Sequence, residues 1–389
     1  MASVQKRGER WIARVVLPGG REATKTWARK VDAWRWANEE QAKVDRGAWV
    51  DPKLGRESFG EYATRWLAAQ PHRASTAQLY ESALRLHITP VLGDRAIATL
   101  RRSDVQAWVT GLAGGGGLGT KTVENTYKLV RAIFASAVDD GLLAVSPCRR
   151  VLRAPVVRRQ VVPLELARVL ALAEAMPARF RALVLLAAGS GLREGECLGL
   201  SVDRVDFLRR EIRVDAQLVQ VTGTPVHLGP PKTDKSVRVV PVPGIVTDAL
   251  ARHLAAFEPV AVSVGLAAGA DERRVLFANT RGKVVARNSL HRSWVAALAG
   301  AGLPVGTHFH DLRHTYASLL IEGGESVTVV AARLGHANAR ETLATYSHLW
   351  PDSEDRTRGV VEHAFAAAAD SAGASSGGRM ADSADGAGL

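Results

Sequence analysis

Cysteine is almost missing from this chain: Cys148 and Cys197 are the only two in 389 residues. Two thiols are too few for a disulfide framework or a Cys-based metal cluster, and they fit a reducing cytoplasm. No apolar run approaches the roughly 18 residues of a membrane span. The opening MASVQKRGERW has basic residues but no apolar signal core behind them, so we expect no secretion and no membrane partner. A nucleotide loop is lacking too. Gly114 to Thr122 reads GGGGLGTKT, but a phosphate-binding loop needs Lys directly after its second spaced Gly, and Thr120 intervenes before Lys121. The run joins two helical segments and reads as an interhelical loop. His308, His310 and His314 lie close together, but no carboxylate or Cys set joins them at ligand spacing. No metal or cofactor is expected.

What is present is length and positive charge. A chain of this size exceeds one ordinary core and implies two or three domains, and 47% hydrophobic with 23% charged residues is a globular composition. The net charge is +12, unevenly spread: residues 1–158 hold 26 Lys/Arg against 15 Asp/Glu, residues 159–350 hold 22 against 17, and residues 351–389 hold 3 against 7. A basic first half suits a polyanion, because each neutralised phosphate releases condensed counterions. Arg- and Ala-rich proteins are also often basic without binding nucleic acid, so charge alone leaves the matter open.

The apolar pattern predicts a multidomain, mainly α protein with a small β-sheet in its second half, and a small sheet-plus-helix module in front. Trp11–Val16, a Pro18-Gly19-Gly20 turn and Ala23–Trp27 read as strand, turn and strand, and residues 31–46 as a helix. Gly47 to Gly55 reads as a linker. Residues 57–147 read as four to five short helices, with Leu79, Leu84, Leu86 and Ile88 on one segment punctuated by Pro90 and Gly93. The Arg-rich stretch 149–159 reads as a second linker. Helix is predicted over Val162–Ala187, and strand alternation over 211–242 at Ile212, Val214, Leu218, Val237, Val239 and Val242. Helices return from about Asn288 to Tyr346. After about Ala369 no apolar period remains, which predicts disorder. The expected boundaries are 1–55, 56–150, 160–350 and 351–389.

Three segments carry residues suited to phosphate chemistry. The first, Ser190-Gly191-Leu192-Arg193-Glu194-Gly195-Glu196, ends an apolar helix and starts another. In the second, His310-Asp311-Leu312-Arg313-His314, a helix would set His310 and Arg313 on one face. The third is Leu334-Gly335-His336, followed ten residues later by Tyr346. Each alone reads as an ordinary surface pair, a capped helix, or a turn with a core tyrosine.

Together and in this order, SGLREGE, HDLRHTYAS, LGH and TYSH resemble the tyrosine recombinase (lambda-type phage integrase) family. The resemblance is close over about 160–350 and extends over 57–147 by helical character only. It implies that Tyr346 is a nucleophile forming a 3′-phosphotyrosine in DNA and leaving a free 5′-hydroxyl. It implies that Arg193 and Arg313 grip the phosphate oxygens, and that His310 and His336 donate to those oxygens or assist proton transfer. Glu196 would orient Arg193 or a neighbour. Since the bond energy stays in the ester, no ATP is needed. A lysine in a β-hairpin turn would protonate the leaving 5′-oxygen; Lys232, in a Pro-Lys-Thr context, fits better than Lys235. His308 is read as structural, His314 and His348 receive no role, Tyr316 is read as core and Cys197 as buried.

The opening module is similar to the arm-binding domains of lambda-type integrases. The resemblance therefore implies a bacterial, DNA-associated cytoplasmic enzyme that integrates or excises a phage or mobile element. Its partners would be double-stranded attachment sites, a homotetramer on DNA, an excisionase and DNA-bending accessory proteins. Residues 57–147 and about 160–350 would clamp the duplex, with the basic 149–159 segment linking them, and a helix in 351–369, with Val360, Val361 and Phe365, would dock on its own or a neighbouring subunit. Two rivals stay open: a non-catalytic DNA-binding regulator, and a type IB topoisomerase-like relaxing enzyme.

Overall fold

Three antiparallel strands open the computed structural model, which describes residues 2–17, 20–46, 54–115, 117–156, 160–350, 358–359 and 361–369. They are β1 (Ser3–Arg7), β2 (Arg10–Val16) and β3 (Glu22–Trp27), with β2 central. Ala13 and Val15 alternate inward from β2 and are buried with Ala33 and Ala37 of α1 (Lys30–Asp45). The apolar pattern located β2, β3 and α1 but not β1. Ser-Val-Gln-Lys-Arg buries almost nothing, so it has no alternation to read, and backbone pairing from Ser3↔Arg14 to Arg7↔Arg10 holds it. The expected turn at Pro18-Gly19 and most of the linker, residues 47–53, lie outside the described residues.

The chain divides into two compact units, residues 1–158 and 159–389. The rest of the first is helical: α2 (Phe59–Ala69), α3 (Ala74–Ala83), α4 (Arg102–Gly114) and α5 (Thr120–Asp139). Ser58 starts α2 with a reciprocal cap. Its hydroxyl accepts the Glu61 N–H at 3.2 Å, and the Glu61 carboxylate accepts the Ser58 N–H at 3.1 Å. Pro90 does not end a segment as its position suggested. The chain runs from α3 into a ten-residue π-helix, Leu84–Gly93, that contains it. The wider i→i+5 winding accommodates a residue without an N–H, which a regular α-helical turn would not. Leu84 and Ile88 face the core, whereas Leu79 and Leu86 face outward. Phe59 and Phe134 meet with ring centroids 4.8 Å apart inside this layer.

In the second unit α6 (Leu166–Ala175) and α7 (Ala178–Ser190) replace the single expected helix, because Pro177 cannot donate to the preceding turn. α7 is buried almost all round. After α8 (Glu194–Leu198) come β4 (Val205–Asp206), β5 (Glu211–Val214), β6 (Gln217–Val219), β7 (His227–Gly229) and β8 (Arg238–Pro241). They pair as a β4-β5-β8 sheet and a β6-β7 ribbon. Ile212, Val214 and Leu218 point inward, but the inward residues near β8 are Val240 and Val242; Val237 and Val239 are exposed. Between Val242 and Asn288, where the apolar pattern predicts no element, lie α9 (Gly244–Ala256) and the β9 (Val260–Ser263)–β10 (Glu272–Val275) hairpin. Helices α10 (Arg287–Gly300), α11 (His310–Glu322), α12 (Val327–Leu334) and α13 (Ala339–Tyr346) complete the unit. α7 packs on α6, α9 and α11, and α12 packs on α11, α13 and β8. This brings the ends of α7, α12 and α13 to one place. Residues 361–369 are helical with Val361 and Phe365 exposed, while Val360 lies outside the described residues.

Removing the Ser58 cap is expected to lower the unfolding free energy by about 1 kcal/mol. Urea denaturation of Ser58→Ala beside Ser58→Thr measures it; threonine, which keeps the capping hydroxyl, should retain most of the stability.

Candidate active site

Arg193 sits at the N-cap of α8, directly after Gly191 ends α7 in the left-handed region at φ 64. A Cβ at Gly191 would stand 2.4 Å from a Tyr316 ring carbon, so the chain can reverse there only without a side chain. Arg193 donates its backbone N–H to Glu196 Oε2 at 3.0 Å and Nη1 to Glu196 Oε1 at 2.9 Å. Arg238 at the start of β8 donates Nη2 to Glu196 Oε2, also at 2.9 Å. Glu196 is 2% exposed. Burial pushes its pKa upward, but the charges and hydrogen bonds of Arg238 and Arg193 outweigh this and hold it below the ordinary carboxylate value. One buried carboxylate therefore fixes two guanidinium groups.

Arg313, one turn into α11, is 2% exposed and spans two helix ends. Its Nη1 donates to Gly191 O at 2.6 Å and its Nη2 to Leu334 O at 2.7 Å. These carbonyls are among the unpaired acceptors at the C-termini of α7 and α12. Burial and the nearby Arg193 lower its pKa to about 10; it remains a cation at neutral pH. Arg193 Nη2 donates to Gly335 O at 3.3 Å, from a second left-handed glycine that ends α12. The two arginines are thus oriented by backbone before any ligand arrives.

His336 follows Gly335, with Nδ1 2.8 Å from the buried Thr342 hydroxyl. Its side chain is 7% exposed. Burial and then Arg313 keep its pKa well below the ordinary imidazole value, Glu341 opposing. His310 is exposed to solvent. Desolvation by the surrounding protein, then His314, Arg313 and Arg193, push its pKa down to about 4. Arg193, His310, Arg313 and His336 all lie within electrostatic reach of one another.

Asn338 caps α13 by accepting the Glu341 N–H at 3.1 Å, and Tyr346 is the last residue of that helix. Tyr346 is 1% exposed. Its hydroxyl lies 2.7 Å from His314 Nδ1, and burial pushes its pKa up to about 12, against the pull of Arg313.

The two lysines differ. Lys232 is exposed in the loop between β7 and β8, which Ser236 ties to the site by hydrogen bonds to Thr233 Oγ1 and Gly335 O. Lys235 Nζ donates to Ala337 O at 2.8 Å, beside His336. Arg193, His310, Arg313, His336 and Tyr346 converge, and Lys232 is held on the bordering loop. Arg238, Ser236 and Thr342 stand outside the sequence motifs, and His314 has no role implied by them. A lone arginine within a valine strand, and a histidine four residues after His310 on the same helical face, were the available signals. Tyr316 and Cys197 are buried in the core, and His348 Nε2 lies 2.9 Å from Val161 O.

A sequence model described as the phage integrase family matches residues 161–352, and one described as phage integrase, N-terminal SAM-like domain, matches residues 58–113. A putative prophage phiRv2 integrase of Mycobacterium tuberculosis is 31% identical over 351 residues, covering 87% of this chain and 88% of that one. A protein named tyrosine recombinase XerC-like from Caldanaerobacter subterraneus is 28% identical over 375 residues, covering 89% and 94%. Among solved structures, a Tn1549 transposon integrase in complex with a circular intermediate DNA superposes with a TM-score of 0.67 at 22% identity. That match covers 79% of this chain and 99% of that one.

His336 is expected to make stability depend on acid. The unfolded imidazole protonates near pH 6.5 while the folded one, its pKa depressed, stays neutral. The unfolded state then binds more protons, and stability falls as pH drops below about 6.5, by up to about 1.4 kcal/mol per pH unit. His310 and His314 are depressed too, so His336→Gln should make the wild-type decline between pH 6.5 and 5 shallower in thermal melts without abolishing it; an unchanged slope would remove His336 as a source.

Proposed function

Because this chain belongs to the phage integrase family, the tyrosine recombinases, we propose that it integrates or excises a phage or mobile element by cutting DNA with Tyr346. It is a site-specific recombinase, and the observation that supports this mechanism is the convergence of Arg193, His310, Arg313 and His336 beside a buried tyrosine. A scissile phosphate would bind between Arg193 and Arg313, whose carbonyl and carboxylate partners hold the guanidinium planes in place. Charge grows on the non-bridging oxygens as the Tyr346 oxygen attacks, and preoriented cations stabilise it without reorganising. His310 and His336 add donors to the same oxygens. Lys232 gives its proton to the leaving 5′-oxygen, and the 3′-phosphotyrosine keeps the bond energy for rejoining.

The arm-type module over residues 1–55, the helical core-site domain over 56–150 and the catalytic domain over 160–350 would act together on attachment-site DNA as a homotetramer. An excisionase and DNA-bending proteins would set direction. The basic first half suits a phosphate backbone. No described helix is long and apolar enough to cross a membrane, and a DNA-associated place in the bacterial cytoplasm fits this role.

Tyr346→Phe is expected to retain DNA binding and lose covalent adducts. The protein is expressed beside candidate donor and host DNA, recovered under denaturing conditions, and the attached DNA sequenced. Adducts at one or a few sites, absent from the variant, are the expected result. Scattered adducts would indicate a relaxing enzyme, and none despite native binding a regulator.

The acid has its own test. Lys232→Ala should slow cleavage by about 10²- to 10⁴-fold and recover on DNA with sulfur at the scissile 5′ position, since a thiolate leaves without a proton. Recovery by Lys235→Ala instead would move the role to Lys235.

A further inference from the structure

We propose that His314 is the general base that takes the Tyr346 proton during cleavage. The inference rests on Tyr346 being the nucleophile. His314 lies one turn after His310 on α11, its ring edge-on to the Tyr346 ring with centroids 5.5 Å apart. Its Nδ1 is 2.7 Å from the phenolic oxygen, the distance of a strong hydrogen bond. Among the described residues, no hydrogen bond joins Tyr346 to either of the other two histidines of the site. His336 Nδ1 is engaged by Thr342, and His310 is exposed to solvent. The residue between, Arg313, turns to the Gly191 and Leu334 carbonyls.

Protonation favours the same assignment. Burial lowers the His314 pKa, with Asp311 opposing and Arg313 reinforcing, and His310 packs edge-on against it. The ring is neutral near pH 7, and in the Nε2–H tautomer its Nδ1 lone pair accepts. A phenol held near pKa 12 ionises in only on the order of one molecule in 10⁵ at pH 7, so attack needs a base in contact.

The step balances. The Tyr346 oxygen forms its bond to phosphorus, the P–O5′ bond breaks, the phenolic proton passes to His314 Nδ1, and the 5′-oxygen takes a proton from Lys232. In rejoining, the 5′-hydroxyl attacks phosphorus and gives its proton back to Lys232, the bond from phosphorus to the tyrosine oxygen breaks, and His314 returns the phenolic proton.

Asparagine separates base from prop, because its amide oxygen occupies the place of Nδ1 and can accept the same hydrogen bond but takes no proton near neutrality. Single-turnover adduct formation is measured on a nicked duplex carrying the site captured by wild-type protein. DNA binding by gel shift is followed for wild type, His314→Ala, His314→Asn and Tyr346→Phe. Both His314 variants should bind as wild type does and form adduct about 10²-fold more slowly or worse. His314→Asn within about threefold of wild type would reduce His314 to a positioning residue and overturn the proposal. So would His314→Ala faster than wild type, which would make the contact a restraint. Adducts from Tyr346→Phe would instead overturn the nucleophile assignment itself.

Discussion

A single buried carboxylate organises the catalytic unit. Glu196 lies between Arg193 and Arg238 at 2.9 Å from each, on α8, with almost no solvent contact. Burying a cation costs several kcal/mol unless it is paired, and this site gathers three arginines. Glu196 offsets part of that cost and sets the direction of two of them. Arg238 passes the constraint on by donating to the Arg333 and Ser236 carbonyls, which ties β8, α12 and the lysine-bearing loop together. Removing the carboxylate would leave two uncompensated guanidinium groups, so Glu196 supports both fold and site.

The remaining charge is handled by helix ends. α7 and α12 both stop at left-handed glycines, and their last carbonyls accept from Arg313 and Arg193. Such carbonyls need donors in any fold; here the donors are the groups that would meet phosphate. Burial first, and the same cations after it, keep the imidazoles of His310 and His336 neutral, so the site pairs permanent positive charge with neutral rings. Tyr346 arrives from α13, whose start is fixed by Asn338 and whose packing against α12 couples it to the His336 loop.

Much of this was legible in the sequence. Phosphate chemistry restricts the usable residue types, so Arg193, His310, Arg313, His336 and Tyr346 stand in short motifs that carry their spacing. Burial periodicity located most helices for an equally local reason. What escaped depended on non-local contact. β1 is held by backbone pairing rather than by an apolar stripe. Pro90 is absorbed by a π-helix that its own neighbours do not announce. Val237 and Val239 have strand character but the outward phase, because pairing with β5 turns Val240 inward. Arg238 and His314 act through partners 42 and 32 residues away, and no window along the chain brings those together.

The most direct test of the account is to locate the covalent bond. Protein captured on its DNA would be digested with nuclease and protease, and the peptide carrying residual nucleotide identified by mass spectrometry. A 3′-linked nucleotide on the tyrosine of the α13 peptide ending Ala344-Thr345-Tyr346 is the expected result. Nucleotide on Tyr316 or any other residue, or a 5′ linkage, would contradict both the nucleophile and the chemistry built around it.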